Sequence, residues 1–357
     1  MEVISNPYVS IEQKALVEEF LSNNQRRKYL LGINKLSRSI LKLMDVDGII
    51  DDFSRVQRSR KKEVLSIDEV PKGSLIVNCA TGSPLTVKNR LDALGFESIS
   101  YLEILKYSKL PLAPHPFMMD FAEDYENNYE RYKKVYDSLA DSLSKETFVK
   151  LLNFKISFDY KFMQDFTNNH EEQYFDQAIL PDLKEMVFVD GGAYVGDTAE
   201  QLITHYPDFK KLYCIEPIAE NLRIAKRELS EHKNIDFIEC GLWDEKKELT
   251  FQEEKSFSTM YGNGEQKISV DTIDNLINEK VDYIKLDIEG AEQKALLGAK
   301  ETIRKYKPIL AVCIYHKAED WYKVAEIVLR IHKDYQVYLR HYMEGIFESV
   351  LYFIPPK

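Results

Sequence analysis

The chain has 357 residues, a formal net charge of −11 and 44% hydrophobic residues. That length suits two domains with packed cores, and the acidic balance excludes a nucleic-acid binder that works by displacing counterions from phosphates. The short basic clusters Arg26-Arg27-Lys28 and Arg58-Ser59-Arg60-Lys61-Lys62 are flanked by acids and read as solvated surface.

From the N-terminus, helical spacing marks a leading helix within residues 9–24. Strands then alternate with helices: Lys28 to Leu31, Val46 to Asp52 and Ser74 to Ala80, with a last strand at Ser98 to Tyr101. Such alternation predicts a small parallel, Rossmann-like α/β domain over residues 1–110. Residues 111–170 read as a helical linker. It opens with Pro111, Pro114 and Pro116, and its acidic, tyrosine-rich helix spans Asp120 to Leu143; Ser144 is the expected cap of the next helix. His115, between two prolines, reads as loop rather than ligand. Gln173 and Tyr174 precede the first strand of the second domain, 171–357, and are read either as contacts to a ligand at its mouth or as packing.

That second domain is organised around residues 187–217. An apolar run ends in Asp190-Gly191-Gly192, a helix follows after Gly196-Asp197-Thr198, and a second apolar run ends at Glu216. This is the first βαβ unit of a nucleotide-type binding fold, with glycines where backbone approaches ligand. Glu216 is placed to accept from two ribose hydroxyls. The acids Asp190 and Asp197 would repel a dinucleotide but suit a cationic ligand, and S-adenosyl-L-methionine, with a ribose, an ammonium group and a sulfonium, fits. A third strand brings Cys240, Gly241 and Leu242 beside the adenine, with Trp243 either stacking or filling core. The polar loop Ser256 to Gly264 reads as a substrate flap or a mobile hairpin.

Two further strands end in chemistry. Lys285-Leu286-Asp287-Ile288-Glu289 ends in carboxylates that share one strand parity, and Glu292 follows at a helix start. The next strand ends in His316, the candidate base, because imidazole titrates near neutral pH. Asp287 could orient that histidine, bind the cofactor's ammonium group, or join Glu289 and His316 around a divalent ion. No motif forces a metal, and none is assigned. The last strands, Tyr335 to His341 and Ser349 to Ile354, read as an antiparallel closing pair.

Taken in order, these blocks resemble the FkbM family of S-adenosylmethionine-dependent methyltransferases. They are Gln173-Tyr174-Phe175, the Asp190 to Thr198 turn, Glu216-Pro217, Lys285 to Glu292, Ile314 to Lys317, Leu339 to Tyr342 and Glu348 to Tyr352. The resemblance implies a class I methyltransferase sheet and O-methylation, often of sugar hydroxyls in glycans or natural products. Residues 1–110 resemble the N-terminal domain of PglD-type sugar acyltransferases, through a glycine turn and Gly48-Ile49-Ile50-Asp51-Asp52. That implies a nucleotide sugar as partner. The turn is eroded to Gly32 with Asn34 and Ser37, which favours a scaffold or oligomerisation domain, consistent with a homo-oligomer. The alternative to an enzyme is a non-catalytic protein binding the cofactor or a nucleotide sugar. Cys79, Cys214, Cys240 and Cys313 lie in or beside apolar runs without a Cys-x-x-Cys pair. With no apolar run near the roughly 18 residues a span requires, the expectation is a cytoplasmic protein.

Overall fold

The computed structural model describes residues 1–4, 8–53, 58–59, 62–250 and 267–356. They form two units, one of residues 1–123, 149–168 and 343–346, the other of 124–148, 169–342 and 347–357. The stretch read as a linker is therefore divided between them. Tyr132 packs edge-on to Phe148 and tilted against Trp321, which ties the first part to the second unit. Asp159, by contrast, accepts from the Tyr8 hydroxyl at 3.0 Å within the first unit. The loop Ser256 to Gly264 lies outside the described residues.

In the first unit, strands β1 (Lys28–Leu31), β2 (Gly48–Ile50), β3 (Arg58–Ser59), β4 (Lys62–Leu65), β5 (Leu75–Asn78) and β6 (Glu97–Ser100) form one sheet in the order β3-β4-β2-β1-β5-β6. All neighbours pair parallel except β3 with β4. Successive side chains point to opposite faces, so Leu30 joins a core with Val17, Phe20, Val77 and Ile99, while Tyr29 joins one with Ile50, Ile76 and Leu91. Two elements differ from the sequence expectation. Strand β4 forms where no strand is expected, starting from Lys62 at the end of the basic cluster read as solvated surface. A helix, Tyr101–Tyr107, begins directly after β6, because Ser100 and Glu103 make a reciprocal capping box.

The second unit holds a sheet of β7 (Val187–Gly191), β8 (Lys211–Ile215), β9 (Ile235–Ile238), β13 (Tyr283–Leu286), β14 (Ile309–Cys313), β15 (Gln336–His341) and β16 (Ser349–Ile354). Its order is β15-β16-β14-β13-β7-β8-β9. Strands β10 (Gly241–Leu242), β11 (Lys247–Thr250) and β12 (Lys267–Asp271) form a separate three-stranded sheet. The central strands β7, β13 and β14 are buried along their whole length, as near-continuous apolar runs require when both faces are covered. The closing pair is antiparallel as expected, with β16 lying between β14 and β15. This order, with its reversal at β7 and antiparallel β16, is the class I methyltransferase sheet, preceded by a small parallel α/β sheet.

Ser144 is not the cap of its helix. The helix spans Ser142–Ser157, and Asp141 caps it by accepting from the Ser144 backbone N–H at 2.7 Å. The Ser144 hydroxyl instead accepts from Arg340 Nη1 at 2.8 Å. Arg340 also reaches Asp141 at 2.7 Å and Asp176 at 3.2 Å, fastening two segments to β15. Removing one partner of a buried pair leaves an uncompensated charge. Arg340→Met should therefore cost roughly 3 kcal/mol, read as a lower urea midpoint by circular dichroism; an unchanged midpoint would refute this role.

Candidate functional site

The second unit's sheet reverses direction at β7, and ligands of open α/β sheets gather at the carboxyl edge beside such a reversal. The register sets Lys285 of β13 directly opposite Asp190 of β7. Both are buried, and the Lys285 ammonium lies 2.9 Å from Asp190 Oδ1. It also donates to the carbonyls of Gly191 at 3.2 Å and Gly192 at 2.9 Å, closing the turn from below. Burial alone would lower the Lys285 pKa, but Asp190 and then Asp287 outweigh it and hold the ammonium charged. Asp190, read from sequence as an acid facing a cationic ligand, is thus fully buried and paired within the protein. Its negative charge is committed to Lys285.

The glycines serve close approach. Gly192 has φ +77°, and a Cβ there would sit 1.9 Å from the Asp287 carbonyl oxygen. A Cβ on Gly191 would meet Leu242 Cδ1 at 2.7 Å, so Leu242 does lie beside the turn. Gly196, at φ +94°, starts the helix Asp197–His205, where Asp197 is exposed and Thr198 buried. The Glu216 carboxylate is nearly enclosed. It accepts from the backbone N–H of Tyr194 at 3.1 Å and of Ile218 at 3.0 Å, and from Asn221 at 3.3 Å. Burial raises its pKa, opposed by these bonds. A carboxylate has about four acceptor sites, so three internal donors leave room for one ribose hydroxyl rather than the expected two. Cys240 is buried and donates to the Gly241 carbonyl, and Trp243 is buried beside Lys247 and Lys294.

Asp287 forms the middle of a partly buried polar cluster. Its Oδ2 accepts from the Tyr174 hydroxyl at 3.0 Å and its Oδ1 from the Tyr315 hydroxyl at 2.9 Å. His316 Nε2 lies 3.5 Å from Asp287 and 3.6 Å from Glu289, while Nδ1 lies 3.1 Å from Glu292. Glu292 begins the helix Glu292–Leu297 and turns back to accept from the Ile288 and Gly290 backbone N–H groups. Glu289 faces the same histidine as Asp287, though not by strand parity: β13 ends at Leu286, and Glu289 is brought round at φ +57°. Gln173 donates to Glu348, which also faces this cluster. The structure thus brings Gln173, Tyr174, Asp287 and His316 together, and adds Lys285, Glu292, Tyr315 and Glu348. The signal for Lys285 is a charged residue amid an apolar strand. Tyr315 and Glu348 lie in blocks that carry the family resemblance, but their roles depend on neighbours distant in sequence.

The electrostatics run against the first reading of His316. Burial would lower its pKa, but Glu292, then Asp287 and Glu289, outweigh burial and push it to about 9. Burial lifts Glu289 to about 7 despite His316, and lifts Asp320 and Glu348 to about 7 with the charges of Glu292 and Asp287 adding respectively. His316 therefore carries its proton at neutral pH. Asp287, Glu292 and His316 each offer a ligand atom within 4.8 Å of the others, so a cation could also be held here. Tyr174, Tyr194, Glu289 and Glu348 all adopt positive φ around the site, a backbone state that costs bulky residues about 1 kcal/mol or more each.

Residues 190–342 match the family model described as Methyltransferase FkbM domain. The fold is also that of a solved methyltransferase FkbM from Methylobacillus flagellatus KT, at 22% identity, covering 97% of this chain and 94% of that one, with a TM-score of 0.76. Partial likenesses include Aeropyrum pernix fibrillarin, solved with natively bound S-adenosyl-L-methionine (14% identity, 49% of this chain and 69% of that one, TM-score 0.32). Another is an rRNA methylase from Streptococcus thermophilus (17% identity, 53% and 96%, TM-score 0.34). No curated relative matches the chain in sequence. The fold is that of class I methyltransferases, and the segment 190–342 is similar to the FkbM methyltransferase domain. No described helix is long and apolar enough to cross a membrane.

Every carboxyl in the cluster with a raised pKa binds protons more tightly when folded. Such groups give stability that is full below the unfolded pKa and lost as pH rises toward the folded value. For Glu289, Asp320 and Glu348 the loss falls between about 4 and about 7; for His316 it falls between 6.5 and about 9. The thermal midpoint without ligand should therefore fall from pH 5 to pH 9. Glu289→Gln should raise it at pH 8 in scanning calorimetry, whereas a lowered midpoint would contradict the cost of burying that charge.

Proposed function

We propose that the chain is an S-adenosyl-L-methionine-dependent O-methyltransferase acting on a hydroxyl of a sugar or glycan acceptor. The observation that carries this reading is the acid-lined cluster of Asp287, Glu289, Glu292 and Glu348 around His316, beside the glycine turn. Its surplus of negative charge suits a cationic ligand, which the exposed Asp197 at the turn also favours. When bound, the cofactor supplies an electrophilic methyl group, and its positive charge favours the deprotonated forms of nearby acids.

In this reading Gly191, Gly192 and Gly196 let the backbone approach the cofactor, with Thr198 packed beneath the turn. Glu216 accepts from one ribose hydroxyl. Cys240, Gly241 and Leu242 line the adenine side. Gln173 and Tyr174 act through Glu348 and Asp287, which orient the cofactor's ammonium group and the histidine. His316 takes the acceptor's proton only after yielding its own, and Glu289, 3.6 Å from Nε2 and titrating near 7, is the neighbouring group that can receive it.

Two substitutions test the assignment. His316→Ala should abolish methyl transfer to glycan acceptors while calorimetric cofactor affinity stays near wild type; turnover retained would remove His316 from the mechanism. Glu216→Ala should weaken cofactor binding by about 1.5–3 kcal/mol, the range for hydrogen bonds to a charged group. Unchanged affinity would exclude the ribose contact.

A further inference from the structure

The first unit contains a cavity of about 630 Å³ away from the Gly32 turn. The turn itself is closed to phosphate. Asn34 Oδ1 accepts from the Leu36 and Ser37 backbone N–H groups, and its amide donates to the Cys79 carbonyl. The helix N-terminus that a pyrophosphate would use is thereby filled by the chain's own side chain. The cavity instead lies at the carboxyl ends of β5 and β6, marked by Asn78 and Ser100, between the helix Pro84–Ala93 and residues 159–167.

The charges in this cavity also oppose an anion. Asp92, Glu103, Asp159 and Glu344 line it against only two lysines. Both lysines are already paired, Lys88 with Asp92 at 2.7 Å and Lys161 with Asp159 at 3.5 Å. Burial raises the Glu103 pKa, opposed by its bonds to Ser100, with the Asp159 charge adding to the rise. What the cavity offers is a dense set of acceptors and mixed donors. Gln13 Oε1 is buried with no hydrogen-bond partner among the described residues. The Tyr160 hydroxyl is pushed above its usual range by burial and by the nearby Glu103 and Glu344 carboxyls. Gln164 and Thr167 add an amide and a hydroxyl, and Phe166 adds an apolar face.

We propose that this cavity is a binding site for an uncharged saccharide of one or two rings. Sugar hydroxyls are donors that carboxylates and an unpaired amide oxygen can accept, while ring C–H groups pack on aromatic faces. The volume falls within the roughly 300–1,000 Å³ of small-molecule sites. A nucleoside diphosphate sugar does not fit, since its phosphates would meet carboxylates and lysines already neutralised. The assignment stands on the first unit alone and does not depend on the methyl-transfer reading.

The test is saturation-transfer NMR on the full chain with methyl glycosides of glucose, galactose, mannose and N-acetylglucosamine. At least one should receive saturation, and the Gln164→Ala/Phe166→Ala variant should reduce that signal at least fivefold, with an unchanged thermal midpoint and unchanged cofactor affinity. Three results would overturn the proposal: silence from all four glycosides, a signal undiminished in the variant, or displacement of the glycoside by uridine diphosphate.

Discussion

The buried pair of Lys285 and Asp190 is the interaction on which the candidate site rests. Adjacent strands put the two residues opposite each other, and one ammonium then serves the carboxylate and two turn carbonyls. Pairs of this kind give little net stability against an apolar replacement, yet losing one member costs roughly 3–5 kcal/mol. Here the pair fixes a turn in which Gly192 lies directly against the Asp287 carbonyl. The position of Asp287, and through it of Tyr174, Tyr315 and His316, follows from that contact.

With Asp190 neutralised internally, the charge imbalance moves one layer outward. Asp287, Glu289, Glu292 and Glu348 surround a single histidine, and burial raises the carboxyl pKa values that shift. An arrangement of this kind is costly in the absence of a cation, and the left-handed backbone at Tyr174, Glu289 and Glu348 adds to the cost. Folding alone does not need either feature. Both are intelligible if the cluster is shaped for a positively charged ligand.

The two large sheets of this chain treat their first turns in opposite ways. In the second unit, Gly191 and Gly192 keep side chains off the turn, and Lys285 holds it from beneath. In the first unit, Asn34 occupies the matching helix start with its own amide. A turn that caps itself has satisfied the donors that phosphate would otherwise claim. The polar cavity lies elsewhere on that sheet, at β5 and β6.

The sequence by itself determined the strand order's raw material, the glycine turn, and the strand-end residues Glu216, Asp287 and His316. Those signals are local: apolar runs of strand length, glycines before a helix, and polar residues where a run stops. Tertiary structure decided what each of these residues does. Asp190 reads identically to a ligand-facing acid until the register sets Lys285 across from it. His316 reads as a neutral base until three carboxylates, all of them beyond the end of β13, surround it. Glu348 and Gln173 meet across 175 residues of sequence. The interleaving of residues 124–168 between the units was equally hidden, because each helix face chooses its core by packing. A residue's type and its place at a strand end are written locally, but its charge state and its partner depend on which strands lie side by side.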